Sequence, residues 1–384
     1  MSLRQQNLGS IIKPGFNPLA AQPPLYTYYL YGWGLNTSGQ IGLNNLTNYS
    51  SPIQVGSLTN WASLNKGRTA VTQGAVKTDG TLWLWGAGNY GQLGLGNRTS
   101  YSSPKQVGAL TNWSQVSCGY VHTLAVKTDG TLWAWGNGGN GQLGLGNITY
   151  YSSPKQVGSL SNWSFVTGGI FATMAVKTDG TLWGWGANQG ADGILGLGNS
   201  TPYSSPKQVG SLTNWLLVYI GQYATIARKT DGTLWTWGRS SSGQLGLGNT
   251  TSYSSPKQVG ALTNWLNIAA NGYTYMGATR TDGTLWMWGN NTAGQLGQNN
   301  RTSYSSPKQV GILSTWSDVK VGYGANGSTY AIKTDGTLWS WGYNSSGQLG
   351  LGNTTSYSSP KQVGSGTSWS QICAGSSNAL ALIV

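Results

Sequence analysis

The sequence contains no glutamate, and all eight of its acidic residues are aspartates. It also has only one histidine and two cysteines in 384 residues. General acid–base catalysis and metal binding rely largely on these residue types, so we expect no enzyme activity, no catalytic residues, no metal and no cofactor. Cys118 and Cys373 occupy different positions in repeats that should not be adjacent, so we expect no disulfide between them.

Long apolar runs are also missing, which argues against a membrane span. The N-terminus lacks a basic start followed by an apolar stretch and a small-residue cleavage site. We therefore expect no signal peptide, and a location in the cytoplasm, or in the virion if the protein is viral.

Charged residues make up only 8% of the chain, although its net charge is +13. Of the 21 basic residues, six lie in a repeated SSPKQVG phrase: Lys105, Lys155, Lys207, Lys257, Lys308 and Lys361. Six more lie two residues before the Asp of an Asp-Gly pair: Lys77, Lys127, Lys177, Lys229, Arg280 and Lys333. Charges spread in this way do not form a concentrated patch, so we do not expect nucleic acid as a partner.

Glycine and tryptophan are abundant, with 60 and 20 copies. A Trp-Gly pair recurs at intervals of 50 to 53 residues, at Trp33, Trp85, Trp135, Trp185, Trp237, Trp288 and Trp341. Six of these pairs end a TLWxWG stretch, whose alternation predicts a half-buried strand. An Asp-Gly pair joins this strand to the preceding one, as Asp129-Gly130 does after Thr123–Thr128, and predicts a hairpin.

Two further strands are predicted in each copy, over segments such as SQVSCG and PKQVG. Four strands in about fifty residues are typical of a propeller blade. The sequence therefore predicts an all-β, seven-bladed β-propeller with four-stranded blades. All 20 tryptophans belong to the repeat, and we expect them to form its core rather than a stacking surface for bases.

The two ends of the repeat region complement each other. The C-terminal SWSQICAGSSNALALIV supplies two strands and stops where the Asp-Gly turn would come. The segment Tyr28–Gly34 begins where that turn would end and has Tyr31 at the first tryptophan position. We therefore expect N- and C-terminal strands to share one blade and close the ring. Residues 26–384 would form the propeller, and residues 1–25, with four prolines, an extended N-terminal arm.

These phrases resemble the regulator-of-chromosome-condensation repeat. The matching residues are the WGxNxxGQLGLG stretch, such as Trp341–Gly352, the following Pro360–Val363, and the strand that enters Asp-Gly-x-x-Trp. The resemblance covers residues 26–384 and implies the seven-bladed propeller of that family. The founding member is a nucleotide-exchange factor on chromatin, and bacterial relatives include an inhibitor of β-lactamase. The resemblance alone does not define a function, because propellers serve unrelated activities.

The connections between strands differ in how much they vary. The turn Asp always precedes the second Trp of TLWxWG by six residues, whereas the connection between the first and second strands varies in length and sequence. The single insertion, Asn188–Leu195, falls between a third and a fourth strand. In an antiparallel blade both connections emerge on the same side, so we predict a variable loop face that binds a partner. Drift in unconstrained loops is the alternative explanation.

Tyrosine and arginine are frequent at binding hot spots, which makes the residues of this face suitable for recognition. The candidate binding residues are Arg68, Tyr90, Tyr120, His122, Phe171, Asp192, Tyr223, Arg239, Tyr273, Tyr275, Tyr323 and Tyr343. His122 alone is better explained as an ordinary loop or strand residue than as a ligand, and Asp192 as a turn residue.

Three functions remain open. The first is a non-enzymatic structural or adhesion protein of a virion, such as the capsid decoration, tail or fibre of a tailed bacteriophage. Near-identical repeats, a polar surface of low charge and a short arm motivate this hypothesis. The loop face would then bind a host surface molecule, and the arm would bind other virion proteins through Leu8, Ile11, Ile12, Phe16 and Leu19.

The second is a protein–protein interaction module or enzyme inhibitor that acts through the same loop face. The third, a chromatin-bound nucleotide-exchange factor, is the least favoured. No counterpart of an exchange wedge is recognisable in the sequence, and residues 1–25 carry only Arg4 and Lys13 as charged side chains.

Overall fold

The computed structural model describes residues 27–67, 71–188, 192–270, 273–324 and 327–384. Within these ranges the regular elements are 28 β-strands, which form seven four-stranded antiparallel sheets. Each sheet is one blade, and the first strands of neighbouring blades contact each other around the centre of the ring. The predicted all-β, seven-bladed propeller is confirmed.

The strands are assigned to blades in chain order. Blade 1 contains β3 (Trp61–Leu64), β4 (Thr72–Lys77), β5 (Leu82–Gly86) and β6 (Tyr101–Gln106). Blade 2 contains β7 (Trp113–Cys118), β8 (His122–Lys127), β9 (Leu132–Gly136) and β10 (Tyr151–Gln156). Blade 3 contains β11 (Trp163–Gly168), β12 (Ala172–Lys177), β13 (Leu182–Gly186) and β14 (Tyr203–Gln208). Blade 4 contains β15 (Trp215–Ile220), β16 (Ala224–Lys229), β17 (Leu234–Gly238) and β18 (Tyr253–Gln258).

The remaining blades follow the same scheme. Blade 5 contains β19 (Trp265–Ala270), β20 (Tyr275–Arg280), β21 (Leu285–Gly289) and β22 (Tyr304–Gln309). Blade 6 contains β23 (Trp316–Val321), β24 (Ser328–Lys333), β25 (Leu338–Gly342) and β26 (Tyr357–Gln362). Blade 7 contains β27 (Trp369–Ala374), β28 (Asn378–Ile383), β1 (Tyr29–Gly34) and β2 (Tyr49–Gln54). The fourth strands begin at the tyrosine, three residues before the predicted PKQVG segment.

Blade 7 combines the two ends of the chain. Its strand order is β2-β1-β28-β27, and β1 pairs with β28 from Tyr29↔Ile383 to Gly34↔Asn378. Tyr31 packs edge-on against Trp369, with ring centroids 5.8 Å apart. The predicted ring closure by N- and C-terminal strands is therefore confirmed, with Tyr31 in the place of the first tryptophan.

The hairpin turn between the second and third strands is held by its own side chains. In blade 2, Oδ1 of Asp129 accepts hydrogen bonds from the backbone N–H and the hydroxyl of Thr131, at 2.9 and 2.7 Å. The indole of Trp133 donates to the Thr131 hydroxyl at 3.0 Å. Gly130 has a φ of +78°, which suits glycine. The repeated KTDGTLW phrase is thus one turn unit that recurs in six blades.

The tryptophan of each Trp-Gly pair forms a hydrogen bond to a neighbouring blade. The Nε1–H of Trp135 donates to the carbonyl of Gln92 in blade 1, at 3.0 Å. The same bond recurs at every blade interface and closes the ring from Trp33 to Gln348 at 2.8 Å. Apolar clusters fill each interface between blades, so the core is a series of layers around the ring.

The expectation that all 20 tryptophans are core residues holds for 14 of them. The other six are half-buried: Trp83, Trp133, Trp183, Trp235, Trp286 and Trp339. Each of these rings is covered by the basic residue before the Asp-Gly pair. In blade 2, Nζ of Lys127 lies 4.0 Å from the centroid of Trp133 and 5.0 Å from that of Trp113. Cation–π contacts therefore replace complete burial on the outer side of the blade.

Cys118 and Cys373 are both buried and free. The described ranges contain no helix of the length and hydropathy needed to cross a bilayer.

Candidate functional site

The up-and-down strand order places two kinds of connection on one side of the ring. Connections between first and second strands share this side with those between third and fourth strands. We call this side the loop face. The opposite side, the hairpin face, carries the Asp-Gly turns and the connections from each fourth strand to the next blade. The divergent segments therefore surface together, as the sequence predicted.

Four tyrosines from the first-to-second connections meet at the centre of the loop face. Ring centroids are 5.2 Å apart for Tyr223 and Tyr273, and 6.3 Å apart for Tyr273 and Tyr323. Tyr120 of blade 2 lies 6.3 Å from Tyr323 of blade 6. Blades 2 and 6 are not neighbours, so this last contact spans the central channel. We call Tyr120, Tyr223, Tyr273 and Tyr323 the tyrosine cluster.

Hydrogen bonds through Gln222 fix the orientation of this cluster. The Tyr323 hydroxyl donates to Oε1 of Gln222 at 2.6 Å, and Nε2 of Gln222 donates to the Tyr223 hydroxyl at 2.6 Å. Burial, together with the neighbouring tyrosines, raises the pKa of Tyr323. Its hydroxyl is therefore protonated at neutral pH and acts as a donor. Tyr120, in contrast, remains 37% exposed and is available to a partner.

The insertion in blade 3 reaches the same cluster through an ion pair. Nε of Arg239 donates to Oδ2 of Asp192 at 3.0 Å, while the guanidinium lies 4.2 Å from the centroid of the Tyr223 ring. The sequence identified all three residues but not their contacts, since Asp192 and Arg239 lie in different blades. Asp192 is thus the partner of an arginine rather than an isolated turn residue.

The central channel contains charged residues that the sequence analysis missed. Nζ of Lys320 lies 2.6 Å from Oδ1 of Asp318, and Lys66 and Lys320 line a cavity of about 20 Å³ with Tyr219. Burial lowers the pKa of Lys66, and the charge of Lys320 lowers it further. Burial by itself would lower the pKa of Lys320, but the nearby carboxylate of Asp318 raises it. The net shift of this pKa is upward. The sequence did contain a signal for the charged pair Asp318 and Lys320. Their strand, WSDVKV, is the only first strand with charged residues.

Two predicted binding residues are not on the surface. His122 is fully buried in β8, with Nε2 3.2 Å from the Thr173 hydroxyl, and burial lowers its pKa to about 3. Tyr275 is fully buried in β20 and donates to the carbonyl of Ser328 at 3.0 Å. The structure places both in buried strands instead of the loops of this face, because each residue is the first of its second strand and packs toward the next blade.

The other candidates fall into three groups. Tyr90 is 41% exposed and lies 6.4 Å from Tyr150 at the edge of the loop face. Phe171 and Tyr343 are half-buried on the same face, outside the tyrosine cluster. Arg68 and the arm residues lie outside the described residues: Leu8, Ile11, Ile12, Phe16 and Leu19. Within the described part of the chain, no group of three or more His, Cys, Asp or Glu side chains could hold a metal ion.

The structure is thus a seven-bladed β-propeller whose variable connections lie together on one face. The sequence profile described as "Regulator of chromosome condensation (RCC1) repeat" matches seven segments: residues 29–68, 79–126, 129–176, 179–228, 231–275, 282–327 and 335–382. The chain belongs to this family.

Relatives in the family extend over most of this chain. The Ultraviolet-B receptor UVR8 of Arabidopsis thaliana is 33% identical over 337 residues, which cover 86% of this chain and 76% of the receptor. The mitochondrial RCC1 domain-containing protein RUG3 of the same plant is 30% identical over 85% of this chain and 80% of RUG3. The solved structure of Prp20p from Saccharomyces cerevisiae has a TM-score of 0.81 at 18% identity, over 94% of this chain and 92% of Prp20p, and shows the shared fold.

Proposed function

We propose that this protein is a non-enzymatic protein-interaction module that binds a partner protein through its loop face. The observation that carries the proposal is the tyrosine cluster, in which loops from four blades meet over the channel although strand packing does not require it. Support also comes from related propellers. The work on Prp20p reports its binding to Gsp1p and histones, and Kap60 has been solved bound to the same yeast protein.

The chemistry of the face suits a protein partner. Tyrosine offers a large, rigid contact area with a polar end and loses little conformational entropy on binding. The ion pair Asp192–Arg239 and the hydrogen bonds of Gln222 hold the rings in place before binding. Preorganisation of this kind lowers the entropic cost of association.

Partner capture by face-specific variants tests this proposal. The double variant Tyr223→Ser/Tyr323→Ser should lose a partner that the wild-type protein retains on an affinity column. The control Leu110→Ser/Leu160→Ser changes two residues of the hairpin face that are 47% and 49% exposed, and it should retain the partner. Loss of the partner in the control, or its retention by the tyrosine variant, would contradict the proposal.

The virion role stays a prediction. The relatives named above are plant and yeast proteins, and they favour the interaction module over a capsid, tail or fibre component. A direct test is deletion of residues 1–25: if the arm anchors the protein in a particle, the shortened propeller should fold but fail to be incorporated. Incorporation of the shortened chain would refute the anchoring role.

Nucleotide exchange on chromatin is less favoured still. At 18% identity, the similarity to Prp20p is one of fold. The basic residues of the repeat lie over aromatic rings of their own blades, for example Lys105 over Tyr101 at 5.4 Å, instead of clustering. This hypothesis would be supported if the protein bound DNA with an affinity that falls steeply as the salt concentration rises.

A further inference from the structure

Two arginines depart from the repeat at the interface between blades 4 and 5. Arg280 ends β20, where the second strands of five other blades end in lysine. Arg228 takes the position that Val76, Val126 and Val176 occupy in blades 1 to 3. Both arginines contact the same residue, Trp265, at the start of β19.

Arg280 contacts two indole rings that are nearly perpendicular to each other. Its Cζ lies 4.5 Å from the centroid of the Trp265 ring and 3.8 Å from that of Trp286. Its Nε is buried without a hydrogen-bond partner, and within the described residues its guanidinium forms no ion pair. The carboxylate of Asp282 accepts two hydrogen bonds from Thr284 instead. Among the described residues, no carboxylate therefore pairs with the charge of Arg280.

Arg228 adds a second positive charge next to the same tryptophan. It is only 7% exposed, and its Nη1 donates to the carbonyl of Trp265 at 2.9 Å. Its Nε is also buried without a hydrogen-bond partner. No carboxylate of the described ranges lies within ion-pair distance of Arg228. The interface therefore carries two cations that form no ion pair with any residue of the described ranges.

A groove of about 370 Å³ lies beside Arg280. Its apolar walls come from both blades: Leu247, Val259 and Leu262 of blade 4, and Trp265, Trp286 and Pro307 of blade 5. This volume is in the range of small-ligand sites. Apolar walls with one guanidinium suit a ligand that has a single anion and a short apolar body. A planar guanidinium pairs best with a carboxylate, through two parallel N–H···O bonds.

We propose that the groove beside Arg280 binds a carboxylate that carries a branched apolar group. The carboxylate pairs with Arg280, and the apolar group packs against Leu247, Leu262 and Trp286. Such a group occurs in free organic acids and in the C-terminal residue of a peptide. The site shares no residue with the tyrosine cluster, so it is independent of the proposed function.

A titration followed by NMR distinguishes these sources. The probes are 4-methylpentanoate for a free acid, N-acetyl-leucine for a peptide end, and 4-methylpentanamide as a neutral analogue. At least one acid should shift the indole N–H resonance of Trp286, with a Kd on the order of 1 mM for a ligand of this size. The amide should not. Binding of either acid supports the site: 4-methylpentanoate alone indicates a free acid as the ligand, and N-acetyl-leucine alone indicates a peptide end. Binding of neither acid, or equal binding of the amide, overturns it.

Two variants show whether Arg280 is responsible. Arg280→Lys restores the residue of the other blades and keeps a cation over the two rings, so the fold should be retained. The affinity for the acid should fall about tenfold, because the paired hydrogen bonds are lost. Lys177→Met removes the equivalent cation, 3.9 Å from the Trp183 ring in blade 3, and should leave binding unchanged. Equal affinities of the wild type and Arg280→Lys would overturn the proposal.

Discussion

Gly94 and Gly108 show how differently single residues of one repeat are constrained. Both have a positive φ, +71° and +59°. A Cβ on Gly94 would lie 2.7 Å from Nε1 of Trp135 in the next blade, whereas nothing lies within 4 Å of the Cβ position of Gly108. The first glycine is therefore required by backbone conformation and by packing, and the second by conformation alone.

We expect Gly94→Ala to destabilise the protein by about 3 kcal/mol, because strain and a collision with a buried indole add together. Gly108→Ala should cost about 1 kcal/mol, from the left-handed conformation alone. Urea denaturation of the two variants measures this difference. Equal losses would show that the contact between Gly94 and Trp135 is not a close one.

Between pH 7 and 5, His122 should make the stability of the folded protein depend on pH. Its pKa in the folded protein is about 3, below the value of about 6.5 in an unfolded chain. The stabilisation that comes from burying a neutral His122 is therefore complete above pH 6.5. It is lost as the pH falls toward 3, at up to about 1.4 kcal/mol per pH unit. Thermal melts of His122→Gln should be flat between pH 7 and 5, whereas those of the wild type decline. Parallel curves would contradict this assignment.

Three features of the candidate site could not be predicted from the sequence. His122 and Tyr275 are the first residues of β8 and β20, and the sequence does not show where a variable loop ends and a buried strand begins. The pair Asp192–Arg239 could not be predicted either, because it joins loops of two blades. Tyr120, Tyr223, Tyr273 and Tyr323 were predicted to share a face, but their convergence depends on loop paths across the channel.

The hairpin between the second and third strands is the element that the sequence specifies best. Its Asp, Gly, Thr and Trp form one hydrogen-bonded turn, and the same four residues recur in six blades. For this reason the hairpin, its place in the blade and the face on which it lies were all predictable. The fourth strand of each blade was less clearly predicted by the sequence, since serine and proline at its start are not typical of strands.

Asp129→Ala should destabilise the protein by about 1 kcal/mol at pH 7, because Thr131 loses its acceptor. Those hydrogen bonds from Thr131 lower the pKa of Asp129. The stabilisation by the Asp129 carboxylate is thus present above pH 3.9, the approximate pKa of Asp in the unfolded chain. It is lost as the pH falls through the lower pKa of the folded protein. The difference in unfolding free energy between Asp129→Ala and the wild type should shrink toward pH 2. Thr128→Ala, at an exposed turn position, is the control and should show little effect.

At the scale of the whole molecule, the ring is closed by the blade that both ends of the chain share. In blade 7, β1 and β2 from the N-terminal side pair with β27 and β28 from the C-terminal side. Opening the ring therefore requires either the rupture of a strand pair or the separation of two blades. The sequence made this closure predictable, because its two ends are complementary parts of one repeat.

A circular permutant tests the closure. Joining Val384 to Tyr28 through a Thr-Asp-Gly-Thr turn, with new ends at Gly56 and Ser57, gives seven blades that are each continuous in the chain. The fold should be retained, but the ring would then close only through packing between blades 7 and 1. We expect a lower melting temperature and faster unfolding than in the unpermuted chain from residue 27. Equal unfolding rates would indicate that the shared blade does not stabilise the ring.

The central claim is that the loop face binds the partner. Hydrogen exchange of the propeller, alone and with the partner that it captures, tests this claim directly, because both faces are observed in one measurement. The account predicts slower exchange in the connections that carry Tyr120, Tyr223, Tyr273 and Tyr323, with unchanged exchange in the Asp-Gly turns. Protection of those turns, with the tyrosine connections unaffected, would contradict it.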